Sequence, residues 1–587
     1  MENGANDITA FSSVVGVSPD LIQIEVTSTA AYEALDKQLE IGSYLNISDE
    51  SGTTLIVIVQ GYRIRDKVTS PTDEDATTFV IDTQPVGRLD EGVFRRGGKQ
   101  ITIPPKHVEI ASADVLSSIY AGVPDGDAFS FGTLVQDSSV RVAMDGNRFF
   151  SKHIGVVGST GSGKSCTVAK ILQEGTKGSE GQVATGVLNN SHVIIFDLHG
   201  EYGPAFPQAR LIGVDNLRLP YWMMNSEELE EMFIESNEEN SHNQISQFRQ
   251  AVTANKRAHA PAGAKVSYDS PVYFSLKEVV VYLDNLNREV IGRSPGEGRP
   301  KLDDGSFIND RATEYFVRRD FTETGQAAGR KATNGPFNGE FERFLMRLQA
   351  RVEDTRLDFL LNPVDSAGDE LTTDDFASIL ESVTGYGEDK TNVTIIDLSG
   401  IPFEVLSVVV SLMSRLIFTL AFHLKREGVT GDRDLPFLLV YEEAHNYVPK
   451  SEGAKYGSVK KAIERIAKEG RKYGISMMIV SQRPSEISET VFSQCNNFVA
   501  MRLTNPNDQR YVQRLLPDNL AAVTDSLPSL ERQEVIVIGD SVLVPSLMHV
   551  DDITDKPDSR DIRFHSEWKL DWLEVNLEPV IERWKRI

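Results

Sequence analysis

A phosphate-binding loop is the clearest chemical feature of this 587-residue sequence. Residues 158–165 read GSTGSGKS and fit the pattern G-x-x-x-x-G-K-[ST], between an apolar run and a helix-compatible run. Glycines let backbone N–H groups close around phosphate oxygens, the lysine adds positive charge at the β- and γ-phosphates, and the serine hydroxyl is a ligand for Mg²⁺. The pattern predicts an ATP site with Mg²⁺, made of Gly158, Ser159, Thr160, Gly161, Ser162, Gly163, Lys164, Ser165 and Cys166.

Two adjacent carboxylates, Glu442 and Glu443, follow the apolar run at 437–440. We predict that Glu442 binds Mg²⁺, directly or through water. We predict that Glu443 is the general base that polarises the attacking water. The alternative is a solvated acidic pair, although nothing structural requires such a pair after four apolar residues.

Polar residues also follow two other apolar runs. Gln482 follows one of them, and its amide is placed to hydrogen-bond the γ-phosphate or the attacking water and to report hydrolysis. Asp197 and Glu201, in the segment FDLHGEY, follow the other and are further candidates for the same site, with ordinary loop capping as the alternative. Ligands bind at the carboxyl ends of parallel strands, so we expect these side chains to meet at one sheet edge.

Arginines between the two glutamates and Gln482 are candidates for a role in catalysis. Arg471, beside Gly470, and Arg465 are each placed to reach across a subunit boundary to the γ-phosphate of a neighbour, as arginine fingers do. We prefer Arg471 over Arg465. A solvated helix face is the alternative for this segment.

Two patterns of elements must position these residues. Residues 1–135 contain closely spaced short strands and predict a small β-barrel. Residues 136–550 alternate apolar strands with helices and predict an α/β domain built on a parallel sheet. The predicted strands are 44–47, 54–60, 77–82 and 100–103, with a turn at 49–52, and then 154–157, 193–196, 393–396, 437–440, 475–480 and 498–503.

A helical insertion is expected at about 205–390, because this stretch has helical patterning, most clearly at 340–360. A C-terminal helical tail, 551–587, carries three of the four tryptophans: Trp568, Trp572 and Trp584. With Leu573, Val580 and Ile581 they predict an apolar helical face. This face either packs on its own subunit or reaches onto a neighbouring one.

The composition limits the function classes. Lys and Arg number 60 against 86 Asp and Glu, a formal net charge of −26, so any DNA contact must be local to a channel rather than spread over the surface. Two cysteines are too few for a disulfide framework or a zinc cluster. Neither a membrane span nor a signal peptide is indicated, and we expect a cytoplasmic protein.

These motifs, in this order, resemble the HerA family of the FtsK/HerA superfamily of P-loop ATPases. The combination is specific to this family. P-loop proteins in general share only the segment RFFSKHIGVVGSTGSGKS and part of the segment LLVYEEAHNYVP. The segments that carry the resemblance are RFFSKHIGVVGSTGSGKS, VIIFDLHGEY, VTIIDLSGIP, LLVYEEAHNYVP, RIAKEGRKYGISMMIVSQRPSEI, SQCNNFVAMRLTNPNDQ and LPSLERQEVIVIGDSVLVPSL.

The resemblance implies a RecA-like P-loop core behind an N-terminal barrel, in a hexameric ring with ATP sites between subunits and duplex DNA in the pore. It implies that Arg471 acts in trans. It also implies an effector partner, either a NurA-like nuclease or, as in bacterial antiphage defence systems, a sirtuin-type NADase. One departure from the family pattern is Lys152, where an arginine is expected just before the P-loop strand.

Two functions fit these observations. The first is a motor that couples ATP hydrolysis to DNA translocation, for which Lys450, Lys455, Lys460 and Lys461 form a candidate channel loop. A solvated lysine face is the alternative for this cluster. The second function is a scaffold ring whose ATPase assembles or gates an effector enzyme. A pump of the type IV secretion class is disfavoured because no membrane-anchoring feature is visible.

Overall fold

The structure is a computed structural model that describes residues 12–26, 39–48, 54–66, 77–97, 107–177, 188–234, 241–294, 297–325, 331–387, 389–451, 457–515, 524–559 and 562–586. Three features predicted from the sequence lie outside these residues. They are the strand at 100–103, the turn at 49–52 and Lys455.

The N-terminal region is a curved antiparallel sheet with the strand order β1-β2-β5-β4-β3-β7, in which β6 pairs with β5. The end strands β1 and β7 lie in contact with each other, as in a barrel. One face of the sheet encloses its own apolar core, and the other contributes Tyr44 and Ile56 to the core of the main domain. The strands are β1 (Ser12–Val17), β2 (Ile22–Val26), β3 (Tyr44–Ser48), β4 (Thr54–Asp66), β5 (Thr77–Asp90), β6 (Val93–Arg96) and β7 (His107–Ile110).

The main domain is built on a ten-stranded sheet with the order β13-β16-β12-β17-β18-β11-β19-β20-β21-β9. Its first seven strands are parallel and its last three are antiparallel. This is the predicted α/β fold with a RecA-like core. Its strands are β9 (Gly132–Leu134), β11 (His153–Val157), β12 (His192–Asp197), β13 (Arg210–Ile212), β16 (Val393–Asp397), β17 (Phe437–Tyr441), β18 (Ile475–Ser481), β19 (Cys495–Ala500), β20 (Glu534–Gly539) and β21 (Ser546–Val550).

All six strands that the sequence predicted for this sheet are present, although β19 begins and ends three residues before the predicted 498–503. The sequence analysis missed the short strand β13 and the antiparallel edge of β20, β21 and β9. Strand β9 lies within the residues assigned from sequence to the barrel, but it pairs with β21. Two small antiparallel pairs complete the strands: β8 (Ala128–Phe129) with β10 (Met144–Asp145), and β14 (Val290–Gly292) with β15 (Ala332–Asn334).

Helices follow most strands of the main sheet, and seven of them lie in the described residues of the insertion. The α-helices are α1 (Ala113–Tyr120), α2 (Gly146–Phe150), α3 (Lys164–Gly175), α4 (Ser226–Phe233), α5 (Ser241–His259), α6 (Leu276–Arg288), α7 (Arg311–Glu314), α8 (Glu342–Val352), α9 (Asp358–Leu361), α10 (Phe376–Thr384), α11 (Phe403–Glu427), α12 (Gly457–Glu469), α13 (Glu489–Phe492), α14 (Pro506–Leu515), α15 (Phe564–Glu567) and α16 (Glu578–Arg586).

The helical pattern at 340–360 does not form one helix. Helix α8 ends at Val352, and a new turn begins after Asp354, whose side chain accepts the backbone N–H of Arg356 at 3.1 Å. This capping bond begins a separate 3-10 turn, Thr355–Leu357, directly before α9. The insertion is tied to the core by Arg415 of α11, which donates to the buried carboxylate of Glu228 at 2.8 Å.

Helix α11 is long and apolar enough to span a membrane on length and composition alone. In this structure 78% of its apolar window is buried within the protein. It packs against α4, α10 and α12, so its apolar residues form part of the core.

The first part of the C-terminal tail contacts its own subunit, since Ile553 is buried in the core and the backbone N–H of Asp558 donates to the Glu201 carbonyl at 2.9 Å. The tryptophan-bearing part does not pack on its own subunit in the described residues, so that hypothesis is wrong for the apolar face. The side chains of Trp568, Trp572 and Trp584 are 76%, 88% and 77% exposed. Every residue whose burial the structure describes from 562 to 585 is exposed. Helix α16 contains Pro579 in its first turn, where proline is well tolerated.

Candidate nucleotide site

The phosphate-binding loop leaves the centre of the sheet. Strand β11 is fully buried, and its last residue, Val157, lies beside Ser481 of β18 and Ala500 of β19. Gly161 and Gly163 have φ of +76° and +95°, a backbone conformation that favours glycine. A Cβ on Gly158 would lie 2.6 Å from the Ser162 hydroxyl oxygen, so only glycine fits there.

Helix α3 begins at Lys164, directly after the loop, and its N-terminus has no side-chain cap. The N–H groups of its first turn therefore keep their capacity to bind an anion, and the helix dipole favours one. Thus the loop and the helix form a phosphate-binding end at the carboxyl edge of the sheet.

The predicted catalytic residues meet at this edge. The buried Lys164 ammonium group contacts Oε1 of Glu443, and Gln482 Nε2 donates to the same oxygen at 2.6 Å. The Thr160 hydroxyl donates to the other end of the Gln482 amide, at Oε1. Burial alone would raise the pKa of Glu443, but Lys164, with smaller contributions from Gln482 and His445, holds this pKa below its ordinary value. Glu443 is therefore an ionised proton acceptor at neutral pH.

The backbone of Glu443 is unusual for a residue other than glycine. Its φ is +47° and its ψ is 48°, in the left-handed region. The backbone N–H and the side-chain amide of Asn446 both donate to the Glu443 carbonyl, at 2.9 and 3.2 Å. Such a conformation costs about 1–3 kcal/mol and persists only where the surroundings hold it.

Glu442 is the candidate ligand for the metal. It is buried, and its Oε2 atom has no hydrogen-bond partner. Burial, followed by the nearby carboxylates of Asp197 and Glu201, raises the pKa of Glu442 to about 9. A divalent cation would reverse this preference for the neutral form, because its charge favours a carboxylate ligand.

Glu201 lies beside the hydroxyl predicted to bind Mg²⁺. Its Oε2 accepts the Ser165 Oγ hydrogen bond at 3.0 Å. Oxygen atoms of Ser165, Glu442 and Glu201 are the hard donors that Mg²⁺ prefers, so the residues fit this cation. Across the described ranges no group of three or more His, Cys, Asp or Glu side chains could hold a metal by itself. A P-loop site needs none, because substrate phosphates and water complete the coordination.

Asp197 has a different role from Glu201 in this geometry. Its two carboxylate oxygens accept the backbone N–H groups of His199, Gly200 and Tyr202, at 3.3, 3.0 and 2.9 Å. Asp197 therefore shapes the loop that presents Glu201, as in the loop-capping alternative drawn from sequence.

Arg471 lies far from the P-loop of its own chain. Arg471 is in the turn before β18, whereas Gln482 follows the other end of this seven-residue strand, about 20 Å away. Arg471 donates to Asn496 Oδ1 at 3.4 Å. Arg465 lies on α12, 4.7 Å above the ring of Phe418. Lys152, also at the amino edge of the sheet, pairs with Asp540 at 2.5 Å.

Comparison with known proteins identifies the family. The family model described as "Helicase HerA, central domain" matches residues 129–417. The probable DNA double-strand break repair helicase HerA of Methanocaldococcus jannaschii is 23% identical over 573 residues, which cover 92% of this chain and 97% of that protein. The chain belongs to the HerA family of P-loop ATPases. The DNA double-strand break repair helicase HerA of Sulfolobus acidocaldarius is 26% identical over 465 residues, covering 79% of this chain and 76% of the relative.

Two solved structures align with this HerA-family chain at lower similarity. VirB4 of Thermoanaerobacter pseudethanolicus is 13% identical with a TM-score of 0.44, covering 73% of this chain and 98% of VirB4. The bacterial conjugative coupling protein TrwB is 12% identical with a TM-score of 0.42, and the alignment covers 77% of this chain and 94% of TrwB.

The lysine cluster of this HerA-family ATPase is only partly a loop. Lys460 and Lys461 lie on helix α12, which corrects their assignment to a channel loop. Lys461 pairs with Glu227 at 2.7 Å, and Lys450 pairs with Glu489 at 2.6 Å.

Sequence reasoning missed His445, a neighbour of Glu443. His445 Nδ1 lies 3.3 Å from Oε2 of Glu443 and 3.2 Å from the Ser481 hydroxyl oxygen. Burial lowers the pKa of His445, and the nearby Glu443 only partly offsets this, so the imidazole is neutral at neutral pH. The proximity of His445 to Glu443 in the chain was a usable signal, but the contact with Ser481 depends on the register of β17 and β18.

Proposed function

We propose that this HerA-family ATPase couples Mg²⁺-dependent ATP hydrolysis to movement along DNA, as one subunit of a hexameric ring. The observation that supports hydrolysis best is the contact of one Glu443 oxygen with both Lys164 and Gln482. This arrangement places a proton acceptor, a phosphate-binding cation and an amide together at the end of the phosphate-binding loop.

Each group has a role in this reaction. Lys164 binds the β- and γ-phosphates together with the N–H groups of the loop. Glu443 accepts the proton of the attacking water, and the Gln482 amide orients that water or the γ-phosphate. Ser165 and Glu442 hold Mg²⁺, with Glu201 beside them. When bound, Mg²⁺ supplies positive charge that stabilises the negative charge developing on the phosphate oxygens.

Two substitutions test these roles. Glu443→Gln should keep ATP bound but lose hydrolysis, because an amide cannot accept the proton. Lys164→Ala should lose nucleotide binding, because the loop loses its only cation. Binding is measured with a fluorescent ATP analogue, turnover by phosphate release, and exposed Glu427→Gln is the matched control. Parental turnover in Glu443→Gln would show that the general-base assignment is wrong.

We infer that ATP is hydrolysed between subunits. Arg471 is about a strand length from its own P-loop, so it serves a site on a neighbouring subunit at the opposite edge. The exposed tryptophans of the tail are a second support, because apolar surfaces of this kind usually mark a contact with another chain.

We infer that DNA passes through the centre of the ring. The relatives named above are described as DNA double-strand break repair helicases. Lys450 and Lys461 are cations in exposed ion pairs, which are worth about 0–1 kcal/mol, so DNA phosphate can replace the paired carboxylates at low cost. Few cations per subunit, repeated around a ring, suffice for sequence-independent binding.

The net charge of −26 favours a second candidate, a scaffold ring that assembles or gates an effector enzyme, either a nuclease or a sirtuin-type NADase. ATPase turnover of the ring is measured with and without duplex DNA, and with and without the enzyme encoded beside it. Stimulation by DNA supports the motor. Stimulation by the partner enzyme alone supports the scaffold.

A further inference from the structure

The two oxygens of the Glu443 carboxylate have different surroundings. Oε1 contacts Lys164 and Gln482 Nε2, the two groups that also serve the γ-phosphate in the proposed reaction. Oε2 instead faces the framework of the protein, where its neighbours are His445 Nδ1 at 3.3 Å and the backbone N–H of Gln482 at 3.4 Å. Oε1 therefore faces the groups that take part in hydrolysis, whereas Oε2 contacts residues that do not bind the phosphate through those atoms.

His445 connects Glu443 to the neighbouring strand. Its Nδ1 atom is 3.2 Å from the Ser481 hydroxyl, and that hydroxyl oxygen accepts the backbone N–H of Arg483 at 3.0 Å. The hydrogen bond of Nδ1 is to the Ser481 hydroxyl, and Oε2 of Glu443 lies 3.3 Å from the same nitrogen. A carboxylate is favoured by a nearby N–H, so the tautomer that carries its proton on Nδ1 is the one that stabilises Glu443. The imidazole thus spans the ends of β17 and β18.

We propose that His445 is a positioning residue that holds Oε2 of Glu443 so that Oε1 stays directed at the attacking water. This inference rests on the proposed function, in which Glu443 is the general base. When Lys164 and Gln482 engage the phosphate, Oε1 gives up its contacts with them. His445 is then the side chain, among those that contact Glu443 in the described residues, that still fixes the carboxylate. An error of about 1 Å in the position of a catalytic group costs about 10²-fold in rate.

Three substitutions at position 445 test the proposal. His445→Ala should lower kcat by about 10- to 100-fold, the usual effect of losing a group that orients a functional side chain. The KM for ATP and the affinity for a non-hydrolysable ATP analogue should stay at the parental values, because the hydrogen bond and ion pair that the structure describes for His445 go to Ser481 and Glu443 and not to the phosphate-binding loop. The exposed His549→Ala is the matched control.

The conservative variants separate positioning from packing. The side-chain amide of Asn lies at the same distance from Cβ as Nδ1 of His, whereas that of Gln lies one bond further. His445→Asn should therefore recover most of kcat, and His445→Gln should not. A merely structural role predicts that both amides behave alike. If His445→Ala does not fold, the comparison of these two variants, matched by thermal denaturation, decides the question.

A double substitution distinguishes failure of this inference from failure of the proposed function. In the Glu443→Gln background, His445→Ala should cause no further loss of residual turnover, because it acts through Glu443. Parental kcat in His445→Ala, while Glu443→Gln is inactive, would overturn the positioning role alone. An active Glu443→Gln protein would instead overturn the general-base assignment on which both depend.

Discussion

Arg471 and Gln482 lie at opposite ends of strand β18. Gln482 reaches the carboxylate of Glu443 in its own chain, whereas Arg471 faces away from that site at the amino edge of the sheet. In the proposed ring, this strand would carry one residue for its own ATP and one for the ATP of a neighbour.

Loss of Arg471 should be complemented between subunits. Arg471→Ala should lower turnover by about 10³-fold or more, as for other arginine fingers. Mixing Arg471→Ala subunits with Lys164→Ala subunits should restore part of the ATPase activity, because some interfaces then join an intact P-loop to an intact arginine. Arg465→Ala is the comparison, and it should retain near-parental activity because Arg465 stacks on Phe418 of its own chain. Absence of any recovery on mixing would contradict a role in trans.

Asp197 and Glu201 should separate into a structural and a metal-related role. Asp197→Asn should lower the free energy of unfolding by about 1–3 kcal/mol, because an amide keeps only one acceptor oxygen and at least one of the three backbone N–H groups loses its partner. Glu201→Gln should leave the Tm unchanged but raise the Mg²⁺ concentration needed for tight nucleotide binding by about 10- to 100-fold. Thermal denaturation and nucleotide titrations at fixed Mg²⁺ measure the two effects. A lower Tm in Glu201→Gln, together with a higher Mg²⁺ requirement in Asp197→Asn, would reverse the two assignments.

Stability should depend on pH through His153. Burial, with a smaller contribution from Arg471, lowers the pKa of His153 to about 4 although its bond to the Ala467 carbonyl opposes the shift. Between about pH 6.5 and 4 the unfolded chain is protonated at this residue and the folded chain is not, so folding stability falls as pH decreases through this window. The loss is on the order of 3 kcal/mol. Urea unfolding of the parental protein and of His153→Gln at pH 7 and 4.5 measures this loss. If the free energy of unfolding falls equally in the two proteins between these pH values, His153 is not the cause.

Removal of the tail should affect assembly more than folding. Deletion of residues 562–587 should leave the Tm of the dissociated subunit unchanged, because the described tail residues are exposed on their own chain. The same deletion should shift the protein towards smaller species, as measured by mass photometry over a range of concentrations. A lower Tm with an unchanged oligomer would show that the tail packs on its own subunit.

Binding of duplex DNA should be salt-dependent and should need the lysine cluster. Replacement of Lys455, Lys460 and Lys461 by Ala should weaken binding and reduce the slope of log Kd against log salt by about 0.9 per lost phosphate contact. Basal ATPase activity should remain, because these lysines lie outside the nucleotide motifs. Unchanged DNA affinity in this variant would remove the cluster from the channel.

The sequence by itself determined the chemistry at the strand ends. The apolar run, the glycine pattern and the Lys164–Ser165 pair sufficed for the P-loop, and two parallel strands ending in Glu443 and Gln482 sufficed to predict that these side chains meet. This succeeded because the carboxyl ends of parallel strands converge at one edge whatever the details of packing.

Only the tertiary structure decided which partners each residue has. The register of β17 against β18 brings His445 to Ser481, and the loop after β12 directs Asp197 to backbone N–H groups and Glu201 to Ser165. The exposure of Trp572 likewise depends on whether any surface of the same chain lies within reach. Residue types limit what a side chain can bind, but contacts between residues far apart in sequence depend on packing, which local patterns do not contain.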